Sequence, residues 1–171
     1  MKWILYILFP TVRLSGDSAP LLLLLEDIQD PGNLGTILRT AEAAGVTGVF
    51  LSPRCADLFQ PKVIRSTMGS VFRVPFCVEK DLGETADWLH ERQVCIYASS
   101  LAASDPYYDH RYAEAAAFMV GNEGNGLSEG LMQKADYRIH IPMCGKVESL
   151  NAAVAASILL FEAVRSRKER R

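Results

Sequence analysis

From Leu21 onward, short runs of apolar residues alternate with segments in which apolar residues recur every three or four positions. The clearest run is 21–25, which consists entirely of leucine. A strand that is apolar at every position is typical of a parallel sheet covered by helices on both faces. The alternation therefore predicts an α/β domain whose largely parallel sheet is flanked by helices.

The apolar runs and caps place the individual elements. The predicted strands cover 21–25, 48–51, 74–78, 94–98, 116–120 and 137–141. The predicted helices cover 34–44, 58–64, a segment from the cap Asp81 to 91, a short segment from Ser128 and a long one from Ser149. In the long helix the apolar residues are expected to lie on one stripe, formed by Leu150, Ala153, Val154, Ser157, Ile158, Phe161 and Val164.

Size and charge indicate one domain and limit how it could attract a partner. The 171 residues, 49% of them hydrophobic, can bury a substantial core without metal or disulfide support. We expect a folded domain over 21–171, preceded by a short strand and linker, or the remnant of another domain, in 1–20. The net charge of −2 supplies no general field for nucleic acid, so any RNA contact must come from local basic patches.

The cysteines and histidines do not indicate a disulfide framework or a metal site. Cys55, Cys77, Cys95 and Cys144 are widely spaced, and no histidine stands at a metal-ligand spacing. No apolar run reaches the roughly 18 residues of a membrane span. These features predict a cytoplasmic protein with reduced thiols, without a metal and without a membrane anchor.

Three loops that follow predicted strands carry the candidate chemistry, because ligands of open parallel sheets bind beyond the carboxyl ends of the strands. The first loop, 26–35, contains Asn33 and leads to Arg39 on the first or second turn of the following helix. Its Pro, Gly and Asn residues could simply shape a turn and a cap. Alternatively, Arg39 could meet a phosphate or hydroxyl held above the start of the helix.

The second and third loops are suited to different roles. The glycine-rich loop 121–128 lacks a GxGxxG or P-loop pattern, and Glu123 would repel a phosphate. Its backbone is better suited to a neutral or cationic ligand. In the third loop, 141–151, Ser149 is a natural N-cap, whereas Asn151 is not explained by helix propensity.

Together these loops resemble the three motifs of the SpoU (TrmH-like) family of RNA ribose methyltransferases, in the SPOUT superfamily. Asn33 and Arg39 match the first motif, 121–124 the second, and Pro142 with 149–152 the third. The resemblance covers most of the chain, from about 21 to 164. It implies transfer of a methyl group from S-adenosylmethionine to a ribose 2′-hydroxyl in ribosomal or transfer RNA.

The resemblance also implies a structure that periodicity could not suggest. The C-terminal part would be threaded into a deep trefoil knot, although chains are otherwise essentially unknotted, and the active site would form at a homodimer interface. The implied catalytic residues are Arg39, Asn33, Glu123, Ser149 and Asn151. The implied cofactor contacts are Ser99, Gly121, Asn122, Gly124, Ile141, Met143, Ser149 and Leu150.

The sequence indicates the residues that would contact RNA less clearly than the motif residues. Arg39 and Arg65, with the loop 66–70, are the predicted contacts, and Arg54, Lys62 and Arg73 are further basic candidates. The basic tail 165–171 could contact phosphates or simply end a helix, and Tyr107, Tyr108 and Tyr112 could stack on a base or pack internally.

Two rival functions remain. The first is a non-catalytic RNA-binding module that keeps the fold; the loss of Arg39, Asn33 or Glu123 would mark it, and all three residues are present. The second is an α/β hydrolase or NAD-binding enzyme. The sequence lacks the GxSxG and GxGxxG patterns that such enzymes carry.

Overall fold

The computed structural model describes residues 19–103, 105–122 and 124–169, so most of the strand and linker predicted in 1–20 lies outside the described residues. Its strands form one sheet in the order β3-β2-β1-β6-β4-β7-β5, and every pairing is parallel. The strands are β1 (Leu21–Leu25), β2 (Gly48–Leu51), β3 (Phe76–Val78), β4 (Cys95–Ser99), β5 (Asp105–Pro106), β6 (Ala116–Val120) and β7 (Tyr137–His140).

Helices cover both faces of this sheet, which confirms the predicted α/β architecture. They are α1 (Pro31–Ala44), α2 (Pro61–Thr67), α3 (Leu82–His90), α4 (Glu129–Met132) and α5 (Ala152–Lys168), with short 3-10 turns at Ser70–Phe72 and Tyr107–Asp109. Among the residues described, no helix combines the length and the apolar composition needed to cross a lipid bilayer. No three His, Cys, Asp or Glu side chains in this part of the chain are grouped as metal ligands would be.

The central strand β1 explains the run of leucines. It lies between β2 and β6, and all of its side chains are buried. Leu21, Leu23 and Leu25 pack in the core on the side of α1 and α5, whereas Leu22 and Leu24 pack on the side of α3 and α4. Because successive side chains of a strand point to opposite faces, a strand covered on both sides must be apolar at every position.

Helix boundaries are where the predictions were least accurate. Helix α1 begins three residues earlier than predicted, because Asp30 caps it by accepting a hydrogen bond from the Asn33 amide at 2.7 Å and Pro31 suits a first turn. Asn33 therefore lies inside the helix, and Arg39 lies in its third turn rather than its first or second. Similarly, α2 begins at Pro61 instead of residue 58. The two-residue strand β5 was not predicted.

The predicted apolar stripe of α5 matches the buried face only at Ala153 and, in part, at Val164. The face that packs against the sheet and α1 is built from small residues and leucines, namely Ala152, Ala153, Ala156, Leu159, Leu160 and Ala163. Val154 and Phe161, which belong to the predicted stripe, are 46% and 50% exposed. Apolar side chains surround most of this helix, so their spacing could not show which face is buried.

Two arginines of the basic tail, Arg165 and Arg167, are occupied by contacts within the domain. Arg165 pairs with Glu162 and Glu169 on its own helix. The Arg167 guanidinium donates hydrogen bonds to the carbonyl oxygens of Pro20, at 2.6 Å, and Glu114. Arg167 thus ties the end of α5 to the segments that lead into β1 and β6, which favours a structural role for this part of the tail.

Close packing of α1 on α2 depends on Gly35. A Cβ atom at this position would lie 1.7 Å from Ser66 Oγ, 2.7 Å from Ser66 Cβ and 3.2 Å from the Ser66 backbone carbon. The first two distances are far below ordinary contact. Rotation of the serine side chain would move Oγ but not Cβ, so the 2.7 Å contact would remain. Only glycine lets the two helices approach this closely.

We expect Gly35→Ala to destabilise the domain by about 1–3 kcal/mol, because the added methyl group forces α1 and α2 apart. Thermal and chemical unfolding followed by circular dichroism would measure the effect. Gly130→Ala is the matched control, since nothing lies within 4 Å of a Cβ at that helical position, and this variant should be neutral or slightly stabilising. Equal stability of the two variants would contradict the packing described.

Candidate active site

The loops after several strands meet at the carboxyl edge of the sheet, around a cavity of about 280 Å³. Loops after β4 and β6 and the beginning of α5 form its walls. The lining residues are Ser99, Ser100, Leu101, Ala102, Val120, Gly121, Asn122, Asn125, Gly126, Leu127, Met132, Leu150, Ala152 and Ala155. None of these side chains is charged, so the cavity offers backbone groups, short polar side chains and an apolar wall.

The loop after β6 folds back tightly on itself. A Cβ atom on Gly121 would lie 2.3 Å from the carbonyl carbon and oxygen of Gly126 and 2.4 Å from the Leu127 nitrogen. Gly126 itself has a φ of 67°, in the left-handed region that favours glycine. These glycines are therefore required for the shape of the loop, and that shape places backbone groups directly on the cavity.

The side chain of Asn122 holds this loop in place. Its Oδ1 accepts hydrogen bonds from the amides of Gly124, at 2.8 Å, and Asn125, at 3.2 Å. Its Nδ2 donates to the carbonyl of Asp27 at 3.0 Å, in the loop after β1. Asn122 and Gly124, both predicted as cofactor contacts, thus shape the site, and only Asn122 lines the cavity.

A second link joins the loop after β1 to α4. The Glu26 carboxylate accepts hydrogen bonds from the amide and the hydroxyl of Ser128, both at 2.7 Å. Ser128 also caps α4, the short helix expected at this position. The role of Glu26 was missed, because a carboxylate that follows a strand has no sequence signal for a partner about one hundred residues away.

Asn151 connects the first predicted loop to the third. Its Oδ1 caps α5 by accepting hydrogen bonds from the amides of Ala153, at 2.9 Å, and Val154, at 3.3 Å. Its Nδ2 donates to Asn33 Oδ1 at 2.8 Å. The amide group of Asn151 thus closes one end of α5 and contacts α1.

The expectation that Ser149 caps the long helix was wrong. The helix begins at Ala152, so the capping position falls on Asn151, and asparagine is as effective there as serine. Ser149 is exposed in the preceding loop. The asparagine that helix propensity did not explain is the residue that starts the helix.

The cavity brings together some of the predicted cofactor contacts. Ser99, Gly121, Asn122 and Leu150 line it, whereas Gly124, Ile141, Met143 and Ser149 do not. The sequence reading missed the apolar wall, formed by Leu101, Leu127, Met132, Ala152 and Ala155. Two features of the sequence could have indicated this wall. Leu101 comes just after β4, and Ala152 and Ala155 lie in the first turn of α5. Glu123, predicted to be catalytic, lies outside the described residues.

The predicted RNA contacts lie on the side of the site formed by α1 and α2. Arg39 on α1 and Arg65 on α2 are both exposed, and neither guanidinium forms an ion pair or a hydrogen bond with the described residues. Arg54 pairs with Asp27 at 3.5 Å, and Arg73 pairs with Glu42. Arg39 and Arg65 therefore keep their charges available to a ligand.

The three tyrosines considered for base stacking have different surroundings. Tyr112 is fully buried, donates a hydrogen bond to the Tyr107 carbonyl and packs edge-on against Tyr97. Burial raises the pKa of Tyr112 above its ordinary value. Tyr112 is therefore a core residue, whereas Tyr108 is 52% exposed.

We expect Asn151→Ala to lower stability by about 1 kcal/mol, because α5 loses its cap and its contact with α1. Ser149→Ala, a change of similar size two residues earlier, should alter stability by less than about 0.5 kcal/mol. Urea unfolding of both variants beside the unmodified chain would measure these changes. A larger loss for Ser149→Ala would show that α5 is capped differently.

The chain is similar in sequence to known RNA methyltransferases. The sequence profile of the SpoU rRNA Methylase family matches residues 20–161. The Bacillus subtilis protein named 23S rRNA (guanosine(2553)-2'-O)-methyltransferase RlmP is 43% identical over 139 residues, covering 81% of this chain and 56% of that protein. The Streptomyces viridochromogenes protein named 23S rRNA (uridine(2479)-2'-O)-methyltransferase is 37% identical over 142 residues, covering 80% of this chain and 50% of that protein. The chain spans about half the length of these curated relatives.

A solved structure shares the fold. The SpoU methyltransferase AviRb from Streptomyces viridochromogenes, in complex with the cofactor AdoMet, aligns with a TM-score of 0.85 and 33% sequence identity. The alignment covers 94% of this chain and 66% of that one. The parallel sheet and its flanking helices are therefore common to both.

Proposed function

The chain belongs to the SpoU rRNA Methylase family, and we propose that it transfers a methyl group from S-adenosylmethionine to a ribose 2′-hydroxyl of RNA. Residues 21–171 would form the catalytic domain. Ribosomal RNA is the favoured substrate class, because both curated relatives described above are named for 23S rRNA, and transfer RNA is the alternative. One observation carries the proposal: the Asn151–Asn33 hydrogen bond joins the helix that bears Arg39 to the helix that begins at the cavity.

The cavity fits S-adenosylmethionine in its chemical character. Its volume is just below the roughly 300 Å³ at which ligand pockets commonly begin, and its uncharged lining suits a ligand that carries an adenine and a sulfonium. We infer that Ser99, Gly121 and Leu150 hold the cofactor, and that Ile141, Met143 and Ser149 contact it from the loop after β7. When bound, the cofactor supplies an electrophilic methyl group with a neutral leaving group.

Arg39 would act on the RNA side. A guanidinium is a poor base but a good partner for a phosphate. We propose that it binds the phosphate next to the target nucleotide and orients the 2′-hydroxyl in line with the methyl group, since positioning supplies much of the rate in such a reaction. Asn33, Asn151, Ser149 and Glu123 would support this geometry.

We expect Arg39→Ala to lower methyl transfer at least 100-fold while changing the affinity for S-adenosylmethionine little, because Arg39 does not line the cavity. Transfer of a radiolabelled methyl group to total ribosomal and transfer RNA, with calorimetry of cofactor binding, would measure both effects. Arg92→Ala is the control, because Arg92 is bound to Glu91 and lies over the Trp88 ring at 4.0 Å, away from the site.

The outcome also distinguishes the rival function. If the unmodified chain binds RNA but transfers no methyl group to any fraction, the non-catalytic RNA-binding module replaces the proposal. If Arg39→Ala loses cofactor affinity instead of activity, its assignment to the RNA side is wrong.

We further propose that the chain forms a homodimer through α5. Val154, Ile158 and Phe161 recur at helical spacing on the face of α5 that is turned away from the core, and two of them are about half exposed. Exposed apolar stripes of this kind are commonly covered by a partner. The stripe begins beside Asn151, so a second copy would lie next to the proposed active site.

We expect Phe161→Glu to convert the dimer to a monomer, because a charge would be buried in the interface. Light scattering at micromolar concentration would measure the mass. Lys168→Glu, an exposed charge change near the end of the same helix, should leave the dimer intact. A monomeric unmodified chain would contradict the proposed interface.

We further propose a knotted topology for the chain. A trefoil knot, as the family resemblance implies, would require α5 and the loop after β7 to pass through the preceding loops; their convergence on one cavity is consistent with this arrangement.

We also propose a cytoplasmic location, since the four cysteines are free and three of them are partly buried.

A further inference from the structure

We propose that the exposed face of α2 is a docking surface for the RNA backbone, with Lys62 and Arg65 binding phosphates on one side of the nucleotide held at Arg39. This inference rests on the function proposed above and specifies which part of the protein guides the RNA. The two residues are three positions apart, so they project from neighbouring positions on one helical surface. Both are exposed, and neither pairs with a described residue.

The packing of the two helices places this surface next to Arg39. Gly35 lies one turn before Arg39 on α1, and it contacts Ser66, the neighbour of Arg65 on α2. The Ser66 hydroxyl also points at the carbonyl of Pro31, at 3.4 Å, in the first turn of α1. The helices thus touch one turn from Arg39 and one residue from Arg65, so the positive charges of α1 and α2 lie on neighbouring parts of the surface.

The acidic side chains of α1 and α2 do not neutralise the charges of Arg39, Lys62 and Arg65. Glu42 is the only carboxylate of α1, and α2 has none. Glu42 accepts hydrogen bonds from Arg73 and, at 2.5 Å, from Ser70. These bonds lower its pKa to about 2, so Glu42 and Arg73 stay ionised and neutralise each other.

Two further carboxylates precede the helices in sequence, and neither belongs to α1 or α2 itself. Asp30 caps α1, and the Asp57 side chain accepts a hydrogen bond from the Phe59 amide at 3.0 Å. The surface thus presents Arg39, Lys62 and Arg65 as three positive charges without a described partner. The chain as a whole has a net charge of −2, so such a local surface is what would give it affinity for a polyanion.

The surface on the other face of the sheet, around α3 and α4, is acidic. Around α3 and α4 the surface groove is lined by Glu26, Asp81, Glu84 and Asp87. Lys134, the cation of this groove, is bound to Asp87 at 2.6 Å. An RNA backbone would therefore be attracted to the α1–α2 side and repelled from the α3–α4 side, which defines one direction of approach.

The test is the salt dependence of RNA binding by the Lys62→Ala/Arg65→Ala variant. Binding of a short fluorescein-labelled single-stranded RNA of mixed sequence would be followed by anisotropy over a series of KCl concentrations. Loss of two phosphate contacts should reduce the slope of log K against log salt by about 1.4. Arg92→Ala/Arg138→Ala removes the same charge from exposed positions outside α1 and α2 and should leave the slope unchanged.

Two additional measurements separate this proposal from the function on which it rests. Lys62→Arg/Arg65→Lys should keep the slope of the unmodified chain, because the charges are retained, and cofactor affinity should be the same in all variants. An unmodified chain that does not bind this RNA, or an unchanged slope in the alanine variant, would overturn the docking surface. Failure to bind S-adenosylmethionine would instead refute the methyltransferase, leaving the slope comparison valid.

Discussion

The structure depends on one strand that is buried on both faces. The five leucines of β1 pair with β2 on one side and β6 on the other, and they contribute to both layers of the core. Because all neighbouring strands are parallel to it, their carboxyl ends lie at one edge of the sheet. Polar loops from distant parts of the sequence are thereby brought together at a place where the apolar core ends.

Hydrogen bonds between these loops turn the edge of the sheet into a defined site. Asn122 connects the loop after β6 to the loop after β1, and Asn151 connects the start of α5 to α1. Each asparagine uses its carbonyl oxygen for a local cap or turn and its amide nitrogen for the distant contact. The same side chains therefore fix local backbone geometry and the relative positions of the cavity and of the helix that bears Arg39.

The sequence predicted the features that are set by local rules. Strand positions such as β6 and the cap Asp81 were placed correctly, and a short helix was correctly expected at Ser128. The cap Asn151 was missed, because Ser149 is an equally good capping residue and the sequence does not show which of the two begins the helix. The buried face of α5 was missed, because it depends on which surface of a largely apolar helix meets the sheet. The apolar wall of the cavity was missed for a similar reason, since residues such as Leu101 and Ala155 acquire a common role only when the chain folds. Residue spacing alone could not decide whether the three loops only form turns and caps or also bind a ligand. The family resemblance is what identified them as functional motifs.

The central claim is that the glycine loop after β6 forms the S-adenosylmethionine site, and calorimetry with purified protein tests it most directly. The account predicts that the unmodified chain binds S-adenosylmethionine and S-adenosylhomocysteine. Gly121→Ala should bind neither, because its Cβ would lie 2.3 Å from the Gly126 carbonyl, whereas Gly130→Ala should bind both normally. A folded chain that binds neither ligand, or a Gly121→Ala variant that binds them with unchanged affinity, would contradict it.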